Sequence, residues 1–165
     1  ADLVLCSHNH GDHAYRSAVK LTGKETNFRI TAAHTFHDNA NGSHRGENTI
    51  YMITAGQTRI AHLGDLGHLP AEGLLQTLHG IDLLMIPVGG YYTIGPELAV
   101  KICQAVQPGI IVPMHYRGPG FGYDVIGPVE DFAAYFQQVE YLDTNSFTPG
   151  AEYFGKVVIP KYIPV

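Results

Sequence analysis

The sequence predicts an α/β layered domain in which buried strands alternate with amphipathic helices around one antiparallel hairpin. Short continuous apolar runs, DLLMIPV at 82–88 and GIIVPM at 109–114, read as strands buried on both faces. Segments with apolar residues at helical spacing lie between such runs. The 19 glycines and 10 prolines are scattered through the 165 residues, which marks many tight turns rather than a low-complexity tract. No repeat, linker or internal boundary interrupts the pattern, so residues 1–165 read as a single domain.

The elements follow in order. Residues 1–6, ADLVLC, read as a short buried strand, entered with no Met or charged leader ahead of it. So abrupt a start suggests a piece cut from a longer chain. Residues 13–22 have helical spacing and close on Gly23. FRITAA at 28–33 is a strand, and the polar, Gly-rich stretch 34–47 a loop. NTIYMITA, then Gly56-Gln57, then TRIAHLG give two alternating runs around a Gly-polar turn, the signature of a hairpin. AEGLLQTLHG at 71–80 is a short helix. Pro96 suits the first position of a second, PELAVKICQAV. After a Gly/Pro-rich loop at 117–128, VEDFAAYFQQV at 129–139 is a third helix. The tail closes on GKVVIPKYIPV, a strand broken by prolines.

Composition excludes several classes. Charged residues are only 15% and hydrophobic residues 45%, so charge-driven disorder is ruled out. The net charge of −5 offers no basic excess for a phosphate backbone, which opposes a nuclease reading and any nucleic-acid partner. No apolar run is long enough to span a membrane. Two cysteines, Cys6 and Cys103, are too few for a disulfide scaffold or, within one chain, a four-sulfur metal site. Both read as core residues. Ten histidines against ten Lys and Arg together invite a metal hypothesis.

The strongest motif is Ser7-His8-Asn9-His10-Gly11-Asp12-His13, three imidazoles and a carboxylate gathered after the first apolar run. His8 and His10 project to one side of an extended segment, and Gly11 permits the turn that brings Asp12 and His13 back toward them. Such a loop offers ligands to two metals. Asp65, in RIAHLGDLGH, stands at a strand tip between His62 and His68; His62 lies within the strand and reads as a packed or hydrogen-bonded core residue. His115 ends the strand IIVPM, and strand ends on one edge of an α/β sheet converge on a common crevice. His34 and His37, in HTFHD, compete for one ligand role; Asp38 favours His37 as a local partner. His44 and His79 read as solvent-exposed or capping.

With these motifs in this order, the chain resembles the metallo-β-lactamase superfamily. The phrases TFHD, RGENT, RIAHLGDLGH, DLLMIPVGGYYTI and IIVPMHY are similar to a branch of metal-dependent hydrolases near the ascorbate-6-phosphate lactonase and phospholipase D-like group. The resemblance implies an αβ/βα sandwich, incomplete here because family members begin further upstream, so that the first sheet would be truncated. It implies two divalent cations, zinc foremost, with manganese, iron or nickel as alternatives. His8, His10 and His37 would hold one and Asp12, His13 and His115 the other, with Asp65 bridging. A shared hydroxide would then cleave an ester, lactone or phosphodiester bond of a small molecule.

Asp12 could instead orient the nucleophile, and His68 is a candidate acid for the leaving group, with a plain hydrogen-bonding role as the alternative. Arg45, Tyr91, Tyr92 and Tyr116 are candidates for substrate contact; Arg45 could equally tie down its own loop. A cytoplasmic location is expected. So is a homo-oligomer, or association with a missing N-terminal segment, to cover the half-sandwich. The competing expectation is a non-hydrolytic metal or iron redox protein, with a four-sulfur site shared across a dimer, or an inactive fragment stabilised by dimerisation.

Overall fold

The protein is described from a computed structural model, which describes residues 1–11 and 13–164. Seven strands form one sheet: β1 (Arg29–Phe36), β2 (Glu47–Ala55), β3 (Thr58–His62), β4 (Leu83–Pro87), β5 (Ile110–Met114), β6 (Val139–Tyr141) and β7 (Lys156–Ile159), in the order β1-β2-β3-β4-β5-β7-β6. β1, β2 and β3 form an antiparallel meander, and β3, β4, β5, β7 and β6 are parallel. β1, β3, β4 and β5 therefore all run the same way, and their C-terminal ends share one edge.

Burial explains why these runs become strands. In β4, Leu84 and Ile86 face one side while Leu83 faces the other, as a strand covered on both faces requires. The larger cluster unites them with Leu75 and Leu78 of helix α1 (Glu72–Leu78), Ile102 and Val106 of α2 (Pro96–Val106), and Phe132 of α3 (Glu130–Ala133). The opposite face carries a smaller cluster of Leu83, Ile110, Val112 and Val158. Pro96 opens α2, and Gln107 closes it in the left-handed conformation at φ 51°. Pairing of β5 with β7 stops at Ile111, short of Pro113, which has no N–H to donate.

Three expectations are corrected. Residues 1–6 form no strand: among the described residues no neighbouring strand pairs with them, and Leu3 and Leu5 stay exposed beside Phe28, Ile30 and Ile53 in an open groove. The predicted helix at 13–22 shrinks to one 3-10 turn, Arg16–Ala18, since its apolar residues Val19 and Leu21 find nothing to pack against. The third helix stops at Ala133; beyond it the chain extends, and Val139 pairs with Val157 as the start of β6. A three-residue strand carries too little periodicity to be seen in sequence. No helix of the described residues is long and apolar enough to cross a membrane.

Candidate metal centre

Strand direction assembles the site. His37 directly follows β1, Asp65 lies three residues beyond β3, and His115 directly follows β5, all on the shared C-terminal edge. The segment carrying His8, His10 and His13 is held to this edge by Thr49 N–H, which donates to the Ser7 carbonyl at 2.7 Å. Asp65 is the centre: its Oδ2 lies 3.3 Å from His37 Nε2, 3.4 Å from His115 Nε2, and 3.7 Å from both His8 Nε2 and His13 Nε2. Potential ligand atoms of His8, His10 and His37 all lie within 4.8 Å of one another, as do those of His8, His13 and Asp65.

Each of these groups is held by its surroundings. Ser7 Oγ sits 2.9 Å from His8 Nδ1, leaving Nε2 to face Asp65. Asn48, fully buried at the start of β2, donates from Nδ2 to Thr35 Oγ1 and the Leu63 carbonyl, each at 2.9 Å, while its Oδ1 accepts the Asp65 N–H at 2.9 Å. Gly64 adopts φ +59°, and a Cβ there would run into Asn48 Oδ1 and the Ser7 side chain. His115 takes the left-handed conformation, φ 54°, which is costly for a residue with a Cβ and recurs at functional sites.

The electrostatics fit a cation centre. Burial pushes the Asp65 carboxyl up, but hydrogen bonds from His115 and His37, with the charges of His115 and His13, hold it well below the usual carboxylate range. Burial drives the His8 imidazole down to about 4, against the pull of Asp65. Two buried ring nitrogens, His8 Nε2 and His37 Nδ1, have no hydrogen-bond partner, an expensive arrangement unless another group satisfies them. A set of imidazoles with one carboxylate matches zinc, manganese, iron or nickel chemistry, so the residues present fit the divalent ions that the sequence implies.

A pH dependence follows for the metal-free chain. The native state keeps His8 neutral, whereas the unfolded chain protonates it at about 6.5. This group therefore costs no stability above about pH 6.5, and stability is lost as pH falls from there toward 4. The stabilisation from Asp65 is present above its unfolded carboxyl value and is lost at still lower pH. The urea midpoint of chelator-treated protein is expected to fall between about pH 7 and 5, ahead of ordinary carboxylate titration. A flat midpoint there would contradict a neutral buried imidazole.

A cavity of about 310 Å³ opens over the centre, lined by His10, His13, His37, Asp65 and His115 below and by His44, Arg45, Tyr92 and Tyr123 at the rim. Of the competing pair, the structure brings His37 into the centre; His34 points outward on β1 and meets exposed Glu47 at 3.3 Å. Asp12, expected as a ligand or nucleophile-orienting group, lies outside the described residues. His68 is not at the cavity. Its Nε2 accepts the Phe36 N–H at 3.2 Å and its Nδ1 lies 2.9 Å from the Leu69 carbonyl, so backbone engages both ring nitrogens and no leaving group is assigned to it.

Tyr92 reaches the cavity. Tyr91 is 63% exposed outside the lining, and Tyr116 packs on the core against Phe121. His62 is half-buried, its Nδ1 accepting the Gly64 N–H at 3.0 Å, and burial lowers its pKa. Sequence reasoning passed over Tyr123 and placed His44 away from the chemistry. Cys103 is buried in α2 with its thiol pushed up to about 12 by burial, as a core residue would be.

Residues 1–115 match the family model for the beta-lactamase superfamily domain. A UPF0173 metal-dependent hydrolase of Thermococcus onnurineus is 30% identical over 71% of this chain and 67% of its own length. One of Staphylothermus marinus is 29% identical over 70% of this chain and 63% of its own length. Among solved structures, one from Thermotoga maritima, assigned to the Zn-dependent hydrolases of the metallo-beta-lactamase superfamily, superimposes with TM-score 0.65 at 30% identity, covering 80% of this chain and 64% of that one. Another, from Parabacteroides distasonis, shares the fold with TM-score 0.59 at 22% identity, over 73% of this chain and 68% of that one. The chain thus spans about two-thirds of the length of the relatives it matches. With its histidine loop and strand-end residues gathered as described, the chain belongs to the beta-lactamase superfamily, in the UPF0173 family whose members are named metal-dependent hydrolases.

Proposed function

We propose that this centre holds two divalent cations, zinc foremost, and that the protein to which the chain belongs uses them to hydrolyse an ester, lactone or phosphodiester bond of a small molecule. The reading rests on one observation: a single carboxylate oxygen, Asp65 Oδ2, lies within 3.3–3.7 Å of ring nitrogens from four histidines in three separate segments. His8, His10 and His37 would form one ligand set. His13 and His115 would contribute to the other, with Asp12 as the superfamily resemblance implies and Asp65 between the two. Bound there, divalent ions supply Lewis acidity and the means to ionise a water near neutral pH.

The chain's own residues supply position and charge. Ser7 and Asn48 fix His8 and Asp65 before any ion arrives, which lowers the reorganisation that binding costs. The Tyr92 and Tyr123 rings, 6.0 Å apart, narrow the mouth, and the cavity volume suits a small substrate rather than a polymer. The test is a mass-spectrometric metal count on zinc- and manganese-loaded protein, paired with turnover of bis-p-nitrophenyl phosphate and simple lactones. Metal-dependent turnover is expected; two bound equivalents with none would overturn the hydrolase reading.

The same assay separates the two competing histidines. His37→Ala is expected to lose at least one metal equivalent and to cut turnover on the order of 100-fold. His34→Ala, which removes only an exposed pairing with Glu47, should retain both equivalents. Retention of both ions by His37→Ala would remove it from the ligand set.

A further inference from the structure

Arg45 stands at the rim of the metal cavity with its guanidinium uncommitted. Both carboxylates near it in sequence are engaged elsewhere. Asp38 is buried, and its Oδ1 accepts the N–H groups of Ala40 and Gly42 at 2.8 and 2.9 Å. Its Oδ2 accepts those of His44 and Arg45 at 3.0 and 2.7 Å. Glu47 pairs with His34. Asp38 thus grips the backbone of Arg45 and leaves its side chain free. Among the described residues the guanidinium makes no ion pair; instead it lies over the Tyr92 ring, 5.6 Å from its centroid.

That geometry is built. The four bonds to Asp38 close residues 38–45 into a compact loop, and the Gly46 carbonyl accepts the His37 N–H at 3.0 Å, joining the loop's end to a metal ligand. Gly42, at φ +81°, turns beneath the Phe36 ring, where a side chain would collide. Tyr92, which carries the guanidinium, lies 6.4 Å from the His115 ring. An arginine held in this way presents a planar fork of donors at little further entropic cost, the arrangement suited to a carboxylate or phosphate.

Arg45 also borders a second hollow of about 500 Å³, which shares His10 with the metal cavity and adds Arg16 and Asn9. The two hollows meet at His10 and Arg45, so a molecule whose reacting bond sits over the metals can extend past the guanidinium toward Arg16. Glu47 also lines this second hollow, where it pairs with His34, and Arg45 and Arg16 bring two positive charges to the neighbourhood of the candidate cation centre on a chain of net charge −5.

We propose that the substrate carries an oxyanion group, carboxylate or phosphate, apart from the bond that is cleaved, and that Arg45 binds this group and sets specificity for it. This rests on the hydrolase reading above. The first experiment compares p-nitrophenyl acetate with mono-p-nitrophenyl glutarate on zinc-loaded protein. Arg45→Gln is expected to lower the ratio of kcat/KM for the anionic over the neutral ester by about 10- to 100-fold. Arg45→Lys, which keeps charge but loses the fork, should fall between. An unchanged ratio overturns the proposal.

The second experiment needs no turnover. Calorimetric titration with inorganic phosphate and with glutarate, on zinc-loaded and on metal-free protein, should show saturable binding that Arg45→Gln weakens at least about 10-fold for one of them. Whichever anion shows the larger loss identifies the group. Absence of binding in both forms, or losses below threefold for both anions, overturns the proposal. Binding that depends on Arg45, in protein that turns over no ester, would uphold the anion site and fail the hydrolase reading alone.

Discussion

Asp65→Asn is expected to dismantle the metal centre while leaving the fold in place. The substitution keeps the shape of a residue only 6% exposed, and the Asp65 backbone bond to Asn48 is untouched. What it removes is the negative charge facing four imidazoles, and with it the one oxygen near to both candidate ligand groups. An amide is a poor metal ligand and brings N–H donors where ring nitrogens need an acceptor or an ion. At least one equivalent of zinc should be lost on dialysis, turnover should fall on the order of 1,000-fold, and the rise in melting temperature that zinc gives the unaltered chain should largely disappear. A variant that kept two equivalents and turned over within tenfold of the parent would show that Asp65 does not join the ions.

Gly64→Ala is expected to produce a large loss of stability from a single methyl group. At φ +59° an L-residue pays roughly 1–2 kcal/mol. The new Cβ also meets Asn48 Oδ1, which must retreat from the Asp65 N–H or take its whole side chain with it. Each buried polar group left unpaired costs about 1–3 kcal/mol, so the total is about 2–5 kcal/mol. For a chain of this size that corresponds to a drop in melting temperature on the order of 10 °C. Metal content should fall with it, because Asn48 ties the Asp65 backbone to Thr35 and Leu63. A drop below about 2 °C would mean that the 63–65 turn relaxes freely, which its position beneath Ser7 and Asn48 opposes.

Much of the centre was legible because metal chemistry concentrates rare residues at fixed spacings. The His8–His13 run, Asp65 and His115 all follow apolar runs, and strand direction then brings three separate segments together. The choice between His34 and His37 turns on register: β1 runs on to Phe36, which places His34 on an exposed pleat and leaves His37 just beyond the strand, where the chain turns inward. The role of His68 was not legible, since spacing does not show that its ring lies beneath the Phe36 N–H. Asn48 left a trace that could have been followed. Alternation along β2 puts it on the same face as Ile50, which is fully buried, and a polar residue in a buried register demands partners. Residues 1–6 misled because a buried strand needs a neighbour as well as apolar residues, and none pairs with them here.

The shared direction of β1, β3, β4 and β5 divides the molecule into a rim that carries the candidate metal centre and a rim that does not. The Gly56-Gln57 turn, the connection at 79–82 and the one at 107–109 all feed the far ends of these strands. They carry none of the histidines gathered around Asp65. A five-residue strand such as β3 separates the two rims by about 16 Å. The distal turns can therefore accept labels, surface tethers or extra residues without disturbing the chemistry, whereas insertions in the loops that follow β1, β3 or β5 would reshape what the protein accepts.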